Sequence, residues 1–183
     1  MATFPLHTTD TAPAAARERL EAVQSRMGFI PNLFGQLAES PAALEAYQAL
    51  TDILGRTSFS PAEQQIILLS ASVENGCEFC VAAHTAGARK ANAPETVVDA
   101  IRDGDSVPDE RLGALATFTQ RVVRDRGWVD EATIEDFLAA GFTRENVLEV
   151  LVGISLKTLS NYANHITGTP LNEEIAAFRW SRS

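Results

Sequence analysis

Twice in this chain a serine stands directly before a proline, at Ser40–Pro41 and at Ser60–Pro61. A serine at the N-cap satisfies one of the orphan N–H groups of a helix start, and a proline in the next position has no N–H to waste. Glu63, three residues after Ser60, adds the return half of a capping box. These signals predict helices over about 41–54 and 61–75. The rest of the chain is punctuated in the same way. Thr11 and Pro13 open a helix to about Arg26, with Gly28 past its end, and Pro31 marks a turn into a short helix ending near Glu39. A helix is expected over 77–90, another from Pro94 to Asp103, and a long one over 109–126 stopped by Gly127. Asp130 caps a helix to Ala140, Thr143 caps one over 144–165, and a short terminal helix is expected over 173–180. No run alternates apolar and polar residues long enough to read as a strand. The expected fold class is all-α, in a single helical domain over residues 1–183 with residues 1–10 as a loose N-terminal tail.

The segment Gln65-Ile-Ile-Leu-Leu-Ser-Ala-Ser-Val is apolar nearly all round, which places its helix at the centre of the fold. It delivers the chain to Gly76, where glycine permits the left-handed turn that ends one helix and lets the next begin. A pattern with few identities recurs at an offset of 81 residues, with Glu63–Leu68 against Arg144–Glu149 and Cys80–His84 against Asn161–His165. It is compatible with two stacked helical halves arising by duplication, but two helical segments match like this by chance more often than not.

With 183 residues and 45% hydrophobic content, the chain can fill one core without a second domain. Its formal charge of -9, with no Lys/Arg cluster to offset it, argues against nucleic acid or an anionic membrane surface as partner. The N-terminus lacks a basic segment followed by an apolar run, and no stretch approaches the length of a membrane span. A soluble cytoplasmic protein acting on a small molecule or a protein is the expectation.

Both cysteines and one of three histidines lie in Glu74-Asn-Gly-Cys-Glu-Phe-Cys-Val-Ala-Ala-His-Thr-Ala-Gly-Ala-Arg-Lys90. If the helix begins at Cys77, then Cys77, Cys80 and His84 fall at i, i+3 and i+7 on one face. The cysteine Cα atoms are then roughly 5 Å apart, within reach of a disulfide. A helix N-terminus favours a thiolate, and His84, one turn after Cys80, can take its proton directly or through a water. This reading makes Cys80 the attacking sulfur. Cys77 then resolves an oxidised Cys80 as a disulfide, which an external dithiol must reopen. Residues 60–90 are the expected redox core.

Other readings compete. Zinc would need ligands beyond Cys77, Cys80 and His84, and only His165, His7 or carboxylates remain, so no metal is assigned. Covalent haem is disfavoured by Val81 where a histidine should follow the second cysteine. The cysteines could also be inert core residues. His165 reads as a helix-end residue, His7 as part of the tail, and Trp128 and Trp180 as core or interface anchors.

The run from Ser60 to His84, with its C-x-x-C-x-x-x-H signature after an apolar helix, resembles the alkylhydroperoxidase D (AhpD) and carboxymuconolactone decarboxylase family, in its peroxidase-related branch. About 30 residues carry the specific match. The resemblance implies an AhpD-like fold, assembly as trimers or hexamers, and thiol-dependent reduction of hydroperoxides by a dithiol or lipoyl-type reductant, with no tightly bound cofactor. It also implies Cys80 as peroxidatic cysteine, Cys77 as its partner and His84 as part of a proton relay. The family's relay glutamate corresponds to Gln65, which cannot titrate. Glu74 or Glu63 are the candidates to replace it. Three functions stay open: a thiol peroxidase or disulfide reductase, a lactone decarboxylase that would leave the cysteine pair unexplained, and a non-enzymatic redox sensor whose disulfide switches an interface.

Overall fold

The computed structural model describes residues 4–182. Among them the chain forms α1 (Ala14–Met27), α2 (Asn32–Leu37), α3 (Pro41–Leu54), α4 (Pro61–Glu74), α5 (Glu78–Lys90), α6 (Glu95–Asp103), α7 (Glu110–Arg124), α8 (Glu131–Ala139) and α9 (Arg144–Thr167), followed by a 3₁₀ helix, Glu173–Phe178. There is no strand among the described residues. No helix among them is long and apolar enough to cross a membrane.

The expected caps act where helices begin. Ser40 accepts from Ala43 N, Asp109 from Leu112 N and Asp130 from Thr133 N. Full capping boxes form at Ser60/Glu63 and at Thr143/Asn146. Each such cap contributes about 1 kcal/mol by pairing a donor that the helix itself leaves free. At Gly76 the chain turns left-handed (φ +67°), and the Cys77 N–H donates to Ser72 O at 3.0 Å while Gly76 N–H donates to Val73 O at 2.9 Å. This Schellman closure ends α4 and aims the chain into α5.

Several local expectations change. The cysteine helix begins at Glu78, with Cys77 in extended conformation at its N-cap. Thr11 does not cap α1; its hydroxyl accepts from Thr8 N in an upstream turn, and Pro13 occupies the N-cap position. The segment expected to be a loose tail is anchored at residue 7: His7 N donates to Gly35 O at 3.2 Å, and the His7 ring bonds Glu39. The terminal helix is a 3₁₀ turn that stops at Phe178, before Trp180, whose indole N–H donates to Arg102 O. Trp128 is 90% exposed and anchors no core in the single chain.

Helix α4 is the axis. Ile66 through Ser72 are buried without interruption, and the helix packs against α5, α6, α7 and α9. The largest core cluster gathers α4 to α8 around Phe118, Phe137 and Phe142, whose rings stack in series. A second cluster joins α1, α2 and α3 to the start of α5 through Leu20, Leu33, Leu37, Leu44, Phe79 and both cysteines. The thiols therefore lie at the seam between the two halves of the core. Of the segments matched at the 81-residue offset, the first is broken at Gly76 into α4 and α5, whereas the second runs unbroken through α9.

Close approach of α9 to α4 depends on Gly153, where an added Cβ would lie 2.6 Å from Ile67 Cγ2. The branch point of Ile67 is stiff, so it cannot swing away. Gly153→Ala is expected to lower the urea unfolding free energy by about 1–2 kcal/mol, because overpacking outweighs the roughly 1 kcal/mol that alanine gains in a helix. Combining it with Ile67→Ala should cost less than the sum of the two, and strict additivity in a double-mutant cycle would refute the contact.

Candidate active site

Cys77 is the N-cap of α5 and Cys80 its third residue, the two positions whose side chains meet in a capping box. Here the side chains that meet are thiols. Both are reduced, and each is 1% exposed. The apolar residues of the second core cluster surround them, so the polar groups in contact decide which sulfur ionises.

Those groups come from α9. Asn164 Nδ2 donates to Cys80 Sγ at 3.2 Å and lies 3.7 Å from Cys77 Sγ. Asn161 Oδ1 accepts from Asn75 Nδ2 at 2.9 Å, while its own buried amide nitrogen has no hydrogen-bond partner and lies on the side of Cys80, whose ionised form it favours. Lys157, only 1% exposed, sets its charge to act on the same sulfur. Residues 157, 161 and 164 recur at i, i+4 and i+7, so one buried polar stripe of α9 faces the cysteines. Burial pushes the Cys80 thiol up. The hydrogen bond from Cys77, the charge and hydrogen bond of Lys157 and the amide of Asn161 outweigh it and hold Cys80 below the ordinary thiol range. Cys77 is driven upward by donating to Cys80, by its own burial and by the negative charge next to it. The pair shares one proton, held on Cys77.

Lys157 Nζ also donates to His84 Nε2 at 2.8 Å, and His84 Nδ1 lies 3.1 Å from Gln65 Oε1. Burial and the Lys157 charge push the imidazole well below its usual range, so it is neutral. The sequence reading had His84 take the proton of Cys80. The ring is instead engaged on both nitrogens, by Gln65 and Lys157, and makes no hydrogen bond to either sulfur. Tyr47 packs against the same apolar cluster; burial and the charge on Cys80 push its hydroxyl up and keep it protonated.

Of the residues singled out from sequence, Cys77, Cys80, His84 and Gln65 are brought together. Glu74 is not: it forms a bidentate ion pair with Arg124, at 3.0 and 2.8 Å. Glu63 is held by Ser60 and Arg111, and His165 is exposed near the end of α9. No group of three or more His, Cys, Asp or Glu side chains among the described residues could hold a metal ion. Lys157, Asn161 and Asn164 were missed. The signal was present, because Lys157 is one of only two lysines in the chain and sits in the apolar run Val150–Leu159.

If Lys157 is what keeps Cys80 ionised, Lys157→Met should move the thiolate ultraviolet absorbance to higher pH. In the parent protein that absorbance should persist as pH falls through the ordinary thiol range of about 8.5. Removing the cation disfavours the anion, so in the variant it should vanish before that range is crossed. Thermal stability should be kept, since methionine fills the same space without a buried charge. A titration unchanged by the substitution would remove Lys157 from the site.

Residues 41–120, the segment that holds both sulfurs, match the carboxymuconolactone decarboxylase family. No curated protein shows a significant match. Among solved structures, an uncharacterized peroxidase-related protein from Ralstonia eutropha JMP134, described as an alkylhydroperoxidase AhpD core, superposes with a TM-score of 0.84. It is 27% identical over 98% of this chain and 97% of its own. An uncharacterized peroxidase-related protein from Silicibacter sp. TM1040 gives 0.81 at 21% identity, over 97% of this chain and 95% of its own. The debrominase Bmp8, solved with 2,3,4-tribromopyrrole, gives 0.78 at 15% identity, over 97% and 95%; these last two likenesses concern the fold. The family match over the cysteine-bearing segment and the architecture of these structures agree: the chain is similar to the carboxymuconolactone decarboxylase family over residues 41–120 and has an AhpD-like all-helical fold.

Proposed function

We propose that the protein is a thiol-dependent peroxidase that reduces organic hydroperoxides at Cys80 and recovers through a Cys77–Cys80 disulfide. The observation that carries this reading is the asymmetry of the pair: Asn164 donates to Cys80 at 3.2 Å and is farther from Cys77, and the charge of Lys157 favours the ionised form of Cys80. The Cys80 thiolate attacks the terminal oxygen of the hydroperoxide, forming an S–O bond as the O–O bond breaks. The departing alkoxide takes a proton from the Lys157 ammonium and leaves as an alcohol. The Cys77 thiol then attacks the sulfenic sulfur, forming the S–S bond and breaking S–O, and its proton leaves with the hydroxide as water. An external dithiol, lipoyl-type in the family, reduces the disulfide and returns one proton to Cys77 and one to Lys157.

Leu20, Leu33, Leu37, Leu44 and Phe79 belong to the apolar cluster packed around the two sulfurs, surroundings that favour a hydrocarbon-bearing hydroperoxide over a small hydrophilic one. A dithiol that must start each cycle reduced suits the cytoplasm. Lactone decarboxylation would leave the Cys80–Lys157 pair without a task. Assembly into a homo-oligomer is supported by the exposed apolar residues Leu148, Leu151, Tyr162 and Ile166 of α9 and by Trp128. Light scattering at micromolar concentration should give more than one chain per particle; a monomer would refute the assembly.

Single-turnover loss of an organic hydroperoxide, followed with a sulfenate probe, tests the chemistry. Cys80→Ser should consume none. Cys77→Ser should react once and accumulate the trapped sulfenic acid. If Cys77→Ser is the dead variant, the roles of the sulfurs are reversed, and if both retain full turnover the cysteines are not the site.

A further inference from the structure

Lys157 carries three N–H donors and no acceptor, so the His84 Nε2 that it meets at 2.8 Å must be unprotonated. A neutral imidazole then has its proton on Nδ1, and what faces Nδ1 at 3.1 Å must accept. Gln65 Oε1 does so. The groups read in one direction: Nδ1–H of His84 donates to Gln65 and the ammonium of Lys157 donates to Nε2, while the charge of that ammonium acts on the sulfur of Cys80.

The Gln65 amide has a prepared seat. Gly87 lies one turn beyond His84 in the interior of α5, where glycine costs about 1 kcal/mol relative to alanine. A Cβ at that position would overlap Gln65 Oε1 and come within 2.9 Å of its Cδ. We propose that Gln65, seated against Gly87, is a positioning residue that keeps the His84 proton on Nδ1, so that Nε2 is left as the acceptor that aims Lys157 at Cys80. The inference rests on Cys80 as the attacking sulfur. A carboxylate at position 65 would act oppositely. It would draw a second proton onto His84, turn Nε2 into a donor and set two cations side by side, depriving the ammonium of its anchor. The absence of a titratable group at 65 is thus what permits the lysine to replace histidine as the cation beside the thiolate.

The titratable groups facing Cys80 from the elements packed on it are Cys77 from the start of α5, Tyr47 from α3 and Lys157 from α9, with His84 behind the lysine. Two readouts on the reduced full-length protein isolate the positioning role: nitrogen NMR of the imidazole, and the pH titration of thiolate absorbance. The parent protein should show His84 protonated on Nδ1 alone through neutral pH, with one thiolate step. Gln65→Glu should protonate both ring nitrogens near neutrality and add a second step to the thiolate titration. Gln65→Met and Gly87→Ala should each reduce the thiolate fraction at a given pH on the order of tenfold, the factor carried by one hydrogen bond to a charged group. Helical circular dichroism should be unchanged in Gln65→Met, which keeps the test valid if Gly87→Ala fails to fold. A proton on Nε2 in the parent protein, or a Gln65→Met titration superimposable on it, would overturn the proposal. Neither readout uses a hydroperoxide. A protein that behaves as expected here and yet consumes no hydroperoxide would sink the peroxidase reading and leave the positioning role standing.

Discussion

A buried ammonium is the constraint around which the rest of this site is arranged. Removing Lys157 from water costs several kcal/mol, and the cost is offset only if the charge meets an opposite charge and well-placed acceptors. The protein supplies both, with Cys80 as the counter-charge and His84 Nε2 as the neutral acceptor. The converse also holds. A thiolate surrounded by Leu20, Leu33, Leu37 and Leu44 would take up a proton unless a cation stood against it. Each charge makes the other tolerable, so the pair is best understood as one unit contributed jointly by α5 and α9.

That unit needs three helices held in close register. α4 carries Gln65, α5 carries the cysteines with His84 and Gly87, and α9 carries Lys157, Asn161 and Asn164. The Schellman turn at Gly76 sets how α5 leaves α4, and Gly153 lets α9 approach α4 one turn before Lys157. Three glycines of two kinds do this work. Gly76 supplies a backbone conformation, whereas Gly153 and Gly87 supply missing volume in helix interiors where alanine would otherwise be favoured. The framework and the reactive group are therefore not separable: loosening the packing of α4 against α9 moves the lysine.

The outcome for the two halves of the sequence signature differs. The cysteine pair is joined by local geometry, an N-cap and third-residue relation within a single helix start, and this was legible from spacing alone. His84 lies on the expected face, but its partner was not foreseeable from α5. Helical spacing showed that its ring could approach Cys80, and could not show that a lysine 73 residues away in sequence would occupy the space. Glu74 illustrates the same limit in reverse. Adjacent in sequence to the cysteine turn, it is turned outward to Arg124 of α7 and takes no part.

By itself the sequence determined the helical order, most helix ends, the placement of α4 at the centre and the meeting of Cys77 with Cys80. Caps, prolines, glycines and apolar periodicity act over a few residues and can be read from a few residues. What only the tertiary structure decided is which groups favour ionisation of the sulfur that spacing had singled out, Cys80, and which cation answers its charge. That choice depends on α9 laying Lys157, Asn161 and Asn164 across the start of α5, and on Gln65 setting the side of His84 that accepts. Those contacts join residues far apart in the chain, and their energies arise from burial and charge acting through space, which no local pattern encodes.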